Sequence, residues 1–121
     1  MPRSCEAYLA DIIDACDTIE LALSRVDTDG YLSDRVIRSA VEREFIIIGE
    51  AVASLGRTDP NLAARITHAR FIVGFRNRLA HEYAAIDDEA VLRIAQHDVP
   101  VLRDEVRSLL SEISMADSQD N

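Results

Sequence analysis

"VIRSAVEREFIIIGEAVASL", residues 36–55, decides the fold class of this chain. Val36, Ile37, Ala40, Val41, Phe45, Ile48, Ala51, Val52 and Leu55 recur in steps of one, three and four, the spacing that keeps side chains on one face of an α-helix. Ser33 stands ahead of the run as a candidate N-cap and Gly56 behind it in the C′ position, so both ends are marked. Ile46 and Ile47 widen the stripe until the helix is apolar on most sides near its middle. One bundle core is not expected to use so much apolar circumference, and the surplus predicts a second chain.

Outward from this helix the same pattern returns. Upstream, Ser4 can cap a helix carrying Leu9, Ile12, Ile13, Cys16, Ile19, Leu23 and Val26, which ends before the turn signal "DTDG", residues 27–30. Downstream, "RTDP" breaks the pattern and Asn61–Thr67 reads as a short helical turn. A third helix carries Phe71, Ile72, Phe75 and Leu79 on its core side and is expected to end near Tyr83 or Ala84. Asp87 caps a fourth, with Val91, Ile94 and Ala95, and the stripe resumes at Val99, Leu102, Val106, Leu109 and Ile113. Pro100 lacks a backbone N–H, so it either kinks this helix or opens a fifth at the N1 position. The expectation is an all-α antiparallel bundle of four to five helices, one domain over residues 1–114 with a frayed polar tail over 115–121.

A chain of 121 residues supports one hydrophobic core and not two. Its 48% hydrophobic and 29% charged content is that of a soluble globular protein. The longest tight apolar run, Phe45–Ile48, is far short of the roughly 20 residues of a membrane helix. Asp11 interrupts the start before an apolar leader can build, so a cytoplasmic protein without membrane contact is expected. Cys5 and Cys16 share one predicted helix roughly 16 Å apart along its axis, too far for a disulfide, and read as small apolar helix residues.

The net charge is −9 and every basic residue is Arg. A uniformly acidic surface argues against a nucleic-acid partner, whose phosphates need cations, but the charge is unevenly spread. From Pro60 to Ala80 there is no acidic residue, while the segment holds Arg65, Arg70, Arg76, Arg78 and His68. This stretch leads straight into "RNRLAHEY", residues 76–83, a pattern of the form R-x4-H-x-Y.

Those groups suit phosphoryl transfer on RNA. A histidine with an ordinary pKa near 6.5 can take the proton from a 2′-hydroxyl or give one to the leaving oxygen, and an arginine can clamp the phosphate as charge builds on it. That chemistry requires no metal and no cofactor. His68, His81 and His97 are not at metal-ligand spacing and neither cysteine has a metal-binding partner, so no metal site is expected. At 100° per residue Arg76 and Tyr83 lie within about 20° of each other, whereas His81 lies about 140° round from Arg76, beside Asn77. One straight helix cannot aim both at one phosphate. Either the helix ends or bends near His81, or two copies face one another and share a cleft; the apolar surplus of residues 46 and 47 favours the symmetric homodimer. Asn77, Arg78, Arg70 and Arg65 are candidates for RNA binding or site support.

"RNRLAHEY", together with "VEREFIIIGEA" at residues 41–51 and Ile86-Asp87 ahead of a Pro-interrupted helix, resembles HEPN domains, and within them the HepT-like toxins of bacterial and archaeal toxin–antitoxin modules. The resemblance implies a metal-independent endoribonuclease toxin of a type VII-like system, a homodimer with Arg76 and His81 as the catalytic pair at the dimer cleft. It also implies a cognate minimal nucleotidyltransferase antitoxin that attaches AMP to Tyr83. Glu82, where relatives often carry Gly, and the small pair Ala84 and Ala85 depart from the family pattern. Glu82 and the acidic net charge suit an alternative, a noncatalytic helical subunit that presents nucleotide or RNA to a nucleotidyltransferase.

Overall fold

The computed structural model describes residues 3–119. They form six α-helices: α1 (Cys5–Leu23), α2 (Thr28–Ser33), α3 (Arg35–Thr58), α4 (Pro60–Ala63), α5 (Ala69–His81) and α6 (Asp88–Gln119), with a 3-10 turn over Tyr83–Ala85. No strand occurs among the described residues. Four long helices build the bundle and two short ones connect them.

The helix starts follow from side-chain capping. Ser4 Oγ accepts the Ala7 N–H at 3.1 Å, which satisfies one of the amides that a helix start leaves unpaired. Asp34, rather than Ser33, caps α3: its Oδ1 accepts from Val36 at 2.9 Å and Ile37 at 3.2 Å. Ser33 instead closes α2, donating its hydroxyl to the Asp29 carbonyl at 2.8 Å. The "DTDG" stretch is therefore more than a turn. Asp27 accepts from the Gly30 N–H at 2.7 Å, and the short helix is held by Tyr31, whose side chain is fully buried. Gly56 does not terminate α3, which runs on to Thr58 and is capped at Asp59. No described residue takes a positive φ, so no left-handed glycine cap is made.

α3 lies at the centre, packed on α1 and α5 along its length and on α2 and α4 at its ends, while α6 packs chiefly on α1. Leu9, Ile12, Ile19, Val41, Ile48 and Val106 are all essentially inaccessible and belong to one continuous core. Ile46 and Ile47 are half-buried against that core. The broad stripe of α3 is thus largely consumed within one chain, because neighbours approach it from several sides, and it gives no independent sign of a second copy.

Phe71, expected on the core side, is 45% exposed. The inward arc of α5 is centred on Phe75 and Leu79, and Phe71 stands at its edge, stacked on Phe75 with centroids 5.9 Å apart. Behind it, α5 and α6 leave an apolar trough of about 210 Å³ floored by Phe45 and Ile48.

α6 runs unbroken through Pro100, so no fifth helix starts there. The missing N–H frees the carbonyl one turn earlier, at Gln96, an exposed residue. Val99 and Val106, both buried, hold the helix on either side of the proline. Residues 115–119, expected to fray, continue α6, since no Gly or Pro follows Pro100 to stop it. The last two residues of the expected tail, 120 and 121, lie outside the described residues. Both cysteines are free, and burial pushes the Cys16 thiol up to about 12, as suits an inert core residue. No helix among the described residues is long and apolar enough to cross a membrane.

Candidate functional site

α5 carries the motif, and its seating decides where each side chain goes. Its start is pinned to α6: Glu105 accepts the Thr67 N–H at 2.8 Å and the Thr67 hydroxyl at 2.6 Å. Phe75 and Leu79 then anchor the inner face, Phe75 meeting Phe45 edge-on with centroids 5.1 Å apart. Arg70, Gly74, Asn77 and His81, spaced four, three and four apart, share the outer face and are exposed.

Arg76 occupies the flank between the two faces, where α5 meets α3 at Gly49. A Cβ added to Gly49 would stand 2.2 Å from the Arg76 Cβ and 2.6 Å from its Cγ, with the Ile72 carbonyl oxygen at 3.4 Å. Only a residue without a side chain permits that approach. Beyond the crossing, an Arg76 guanidinium nitrogen lies 3.5 Å from Glu50 Oε1. Nη1 donates to Asn77 Oδ1 at 2.6 Å, while Nε is buried without a partner. The arginine side chain is 29% exposed and Glu50 58% exposed, so the guanidinium is oriented at the surface rather than locked away. The "GEA" of α3 and the "RN" of α5 are therefore one spatial unit. Gly49 and Glu50 were not among the expected site residues; the trace they left in the sequence was a glycine inside an apolar helical stripe with an acid directly after it.

His81 is the last residue of α5, exposed, and its side chain has no hydrogen bond or ion pair among the described residues. The helix ends there rather than at Tyr83 or Ala84. The Glu82 N–H still reaches the Arg78 carbonyl at 2.8 Å, and the Ala85 N–H then turns back to the Glu82 carbonyl at 2.9 Å. Because His81 is itself helical, it keeps its angular distance of about 140° from Arg76, and no contact joins the two in one chain. The backbone of Tyr83 opens the 3-10 turn, and its side chain, the expected modification site, lies outside what the structure describes.

The remaining candidates separate into two groups. Arg70 and Arg78 are exposed, and Arg78 borders a pocket of about 160 Å³ with Glu82, Ile86 and Asp87. Arg65 precedes α5 and pairs with Glu112 of α6 at 2.7 Å, so it is engaged away from the motif residues. Asp87 caps α6, accepting from Glu89 at 3.0 Å and Ala90 at 3.3 Å. The "ID" pair thus fixes the loop that follows the motif. Among the described residues no cluster of three or more His, Cys, Asp or Glu is poised to hold a metal ion.

The all-helical bundle, with an arginine, an asparagine and a histidine on one surface helix, is the arrangement that the HEPN resemblance implies. The chain belongs to the ribonuclease HepT-like family, whose pattern matches residues 12–109, a span that includes Gly49, Glu50, Arg76, Asn77, His81 and Tyr83. Among its relatives, "Putative RNase MJ1216" of Methanocaldococcus jannaschii is 26% identical over 117 residues, 95% of this chain and 94% of the relative. "Putative RNase MJ1380" of the same organism is 30% identical over 104 residues, covering 86% and 94% of the two chains. "Probable ribonuclease HepT" of Thermococcus cleftensis is 29% identical over 109 residues, covering 90% and 98%. No solved structure matches the chain.

Proposed function

We propose that this protein is a metal-independent endoribonuclease and the toxin of a toxin–antitoxin pair. The observation that carries the reading is the Arg76 guanidinium, oriented by Glu50 and Asn77 beside a surface helix that has no acidic residue. In the reaction, His81 takes the proton of an RNA 2′-hydroxyl. The 2′-oxygen bonds to the adjacent phosphorus, and the bond to the 5′-oxygen breaks. The departing oxygen receives a proton from water, leaving a 2′,3′-cyclic phosphate and a 5′-hydroxyl. Arg76 stabilises the charge that builds on the phosphate oxygens.

Arg76 and His81 point about 140° apart around α5, which supports a homodimer in which each phosphate meets Arg76 of one copy and His81 of the other. Exposed Arg70 and Arg78, with Asn77, guide the strand; Arg65 joins only by exchanging Glu112 for a phosphate. A partner nucleotidyltransferase silences the site. The Tyr83 hydroxyl attacks the α-phosphorus of ATP and pyrophosphate leaves, setting a bulky anion two residues from His81.

The test is RNA cleavage by the purified chain in the presence of a chelator, produced with and without the nucleotidyltransferase, with peptide masses read at Tyr83. Cleavage by the unmodified form, abolished by Arg76→Ala and by His81→Ala, supports the reading; intact RNA in every sample overturns it. A second reading, the noncatalytic subunit, draws on Glu82 beside a His81 whose side chain has no partner among the described residues. It predicts RNA or nucleotide binding that survives His81→Ala, with no cleavage by any form.

A further inference from the structure

Gly74 sits in the middle of α5, exposed, with ordinary helical geometry, and a Cβ built on it meets nothing within 4 Å. Neither a turn nor packing within the chain requires glycine there. Yet glycine weakens a helix interior relative to alanine, through the extra backbone freedom lost on folding. The absent side chain leaves a bare strip of helix backbone with Arg70 one turn before it and Arg78 one turn after it, roughly 12 Å apart along the axis. Asn77 and His81 continue the same face.

We propose that the RNA sugar-phosphate backbone crosses α5 at Gly74, resting on the bare helix between Arg70 and Arg78, so that the missing Cβ sets how closely the strand approaches His81. The inference rests on the nuclease reading and adds to it a contact point. Charge selects the occupant. α5 carries no acid, and a second copy crossing antiparallel at Gly74 would set Arg70 of one chain against Arg78 of the other. Like charges repel there, whereas a polyanion neutralises both.

The test uses the full chain and a fluorescent single-stranded RNA with 2′-fluoro sugars, which lacks the attacking hydroxyl. Gly74→Ala is expected to raise the melting temperature by about 4 °C, since alanine favours the helix. The same substitution should weaken RNA binding about tenfold and Gly74→Leu about a hundredfold, the range that one to a few intruding carbons produce in a tight contact. Opposite movement of stability and binding is the signature, because a purely structural glycine moves both the same way. Unchanged binding by both variants, while Arg76→Ala still abolishes cleavage of ordinary RNA, overturns the contact and leaves the nuclease reading standing. If sedimentation shows that Gly74→Leu acts by splitting a dimer, the face belongs to a second copy and the proposal is wrong. If the unsubstituted chain neither binds nor cuts RNA, the nuclease reading fails and the proposal fails with it.

Discussion

Gly49 and Gly74 are both helical glycines near the motif, and their surroundings are opposite. At Gly49 the space a side chain would fill is already taken by Arg76, whereas at Gly74 that space is empty. The first glycine is explained inside the chain: it brings two helices together and seats the arginine beside Glu50. The second has no internal explanation. Packing therefore accounts for one and leaves the other to be explained by whatever meets the surface.

The contrast can be broken in graded ways. The largest effect is expected from Arg76→Ala and His81→Ala, each lowering RNA cleavage by about a thousandfold while leaving the helical circular dichroism signal intact. Next comes Gly49→Ala, which forces α5 away from α3 and should destabilise the fold by about 1–3 kcal/mol, measured by chemical denaturation. Wild-type stability in that variant would mean that the helices are not closely seated at Gly49. Glu50→Gln keeps the shape but removes the charge facing Arg76. A fall of about tenfold in kcat with little change in KM is expected, less than the ~100-fold cost of a full 1 Å misplacement. Its melting temperature should not move, because Glu50 is exposed. The smallest effect is on stability at the open position, where Gly74→Ala gains about 0.8–1 kcal/mol. A loss of stability there would show that the position is not free.

Much of the bundle was legible from period and caps, because Ser4 and Asp87 cap through their own side chains and amides nearby. Misreadings arose where a distant contact overrides a local signal. "DTDG" reads as a turn, yet buried Tyr31 draws it into a helix. Pro100 reads as either a kink or the start of a fifth helix, and the second is ruled out because apolar residues before and after it are buried on the same bundle and carry one helix through. Ser33 and Asp34 are both good caps on local grounds, and α2 claims the first. In the site, the angular separation of Arg76 and His81 follows from helix geometry alone. The union of Gly49 and Glu50 with Arg76 does not, since it depends on which helix α5 lies against.

α5 is fastened chiefly along one edge, on α3, with the apolar trough on its α6 side and Thr67–Glu105 as a pin at its start. A segment held in this way opens at lower free energy than the whole domain. Its amide hydrogens should exchange with solvent through partial opening, ahead of those in α1 and α3, which are released only when the bundle unfolds. Hydrogen-exchange mass spectrometry would then resolve two tiers of protection, with the whole motif in the faster one, so that Arg76, Asn77 and His81 detach and return together.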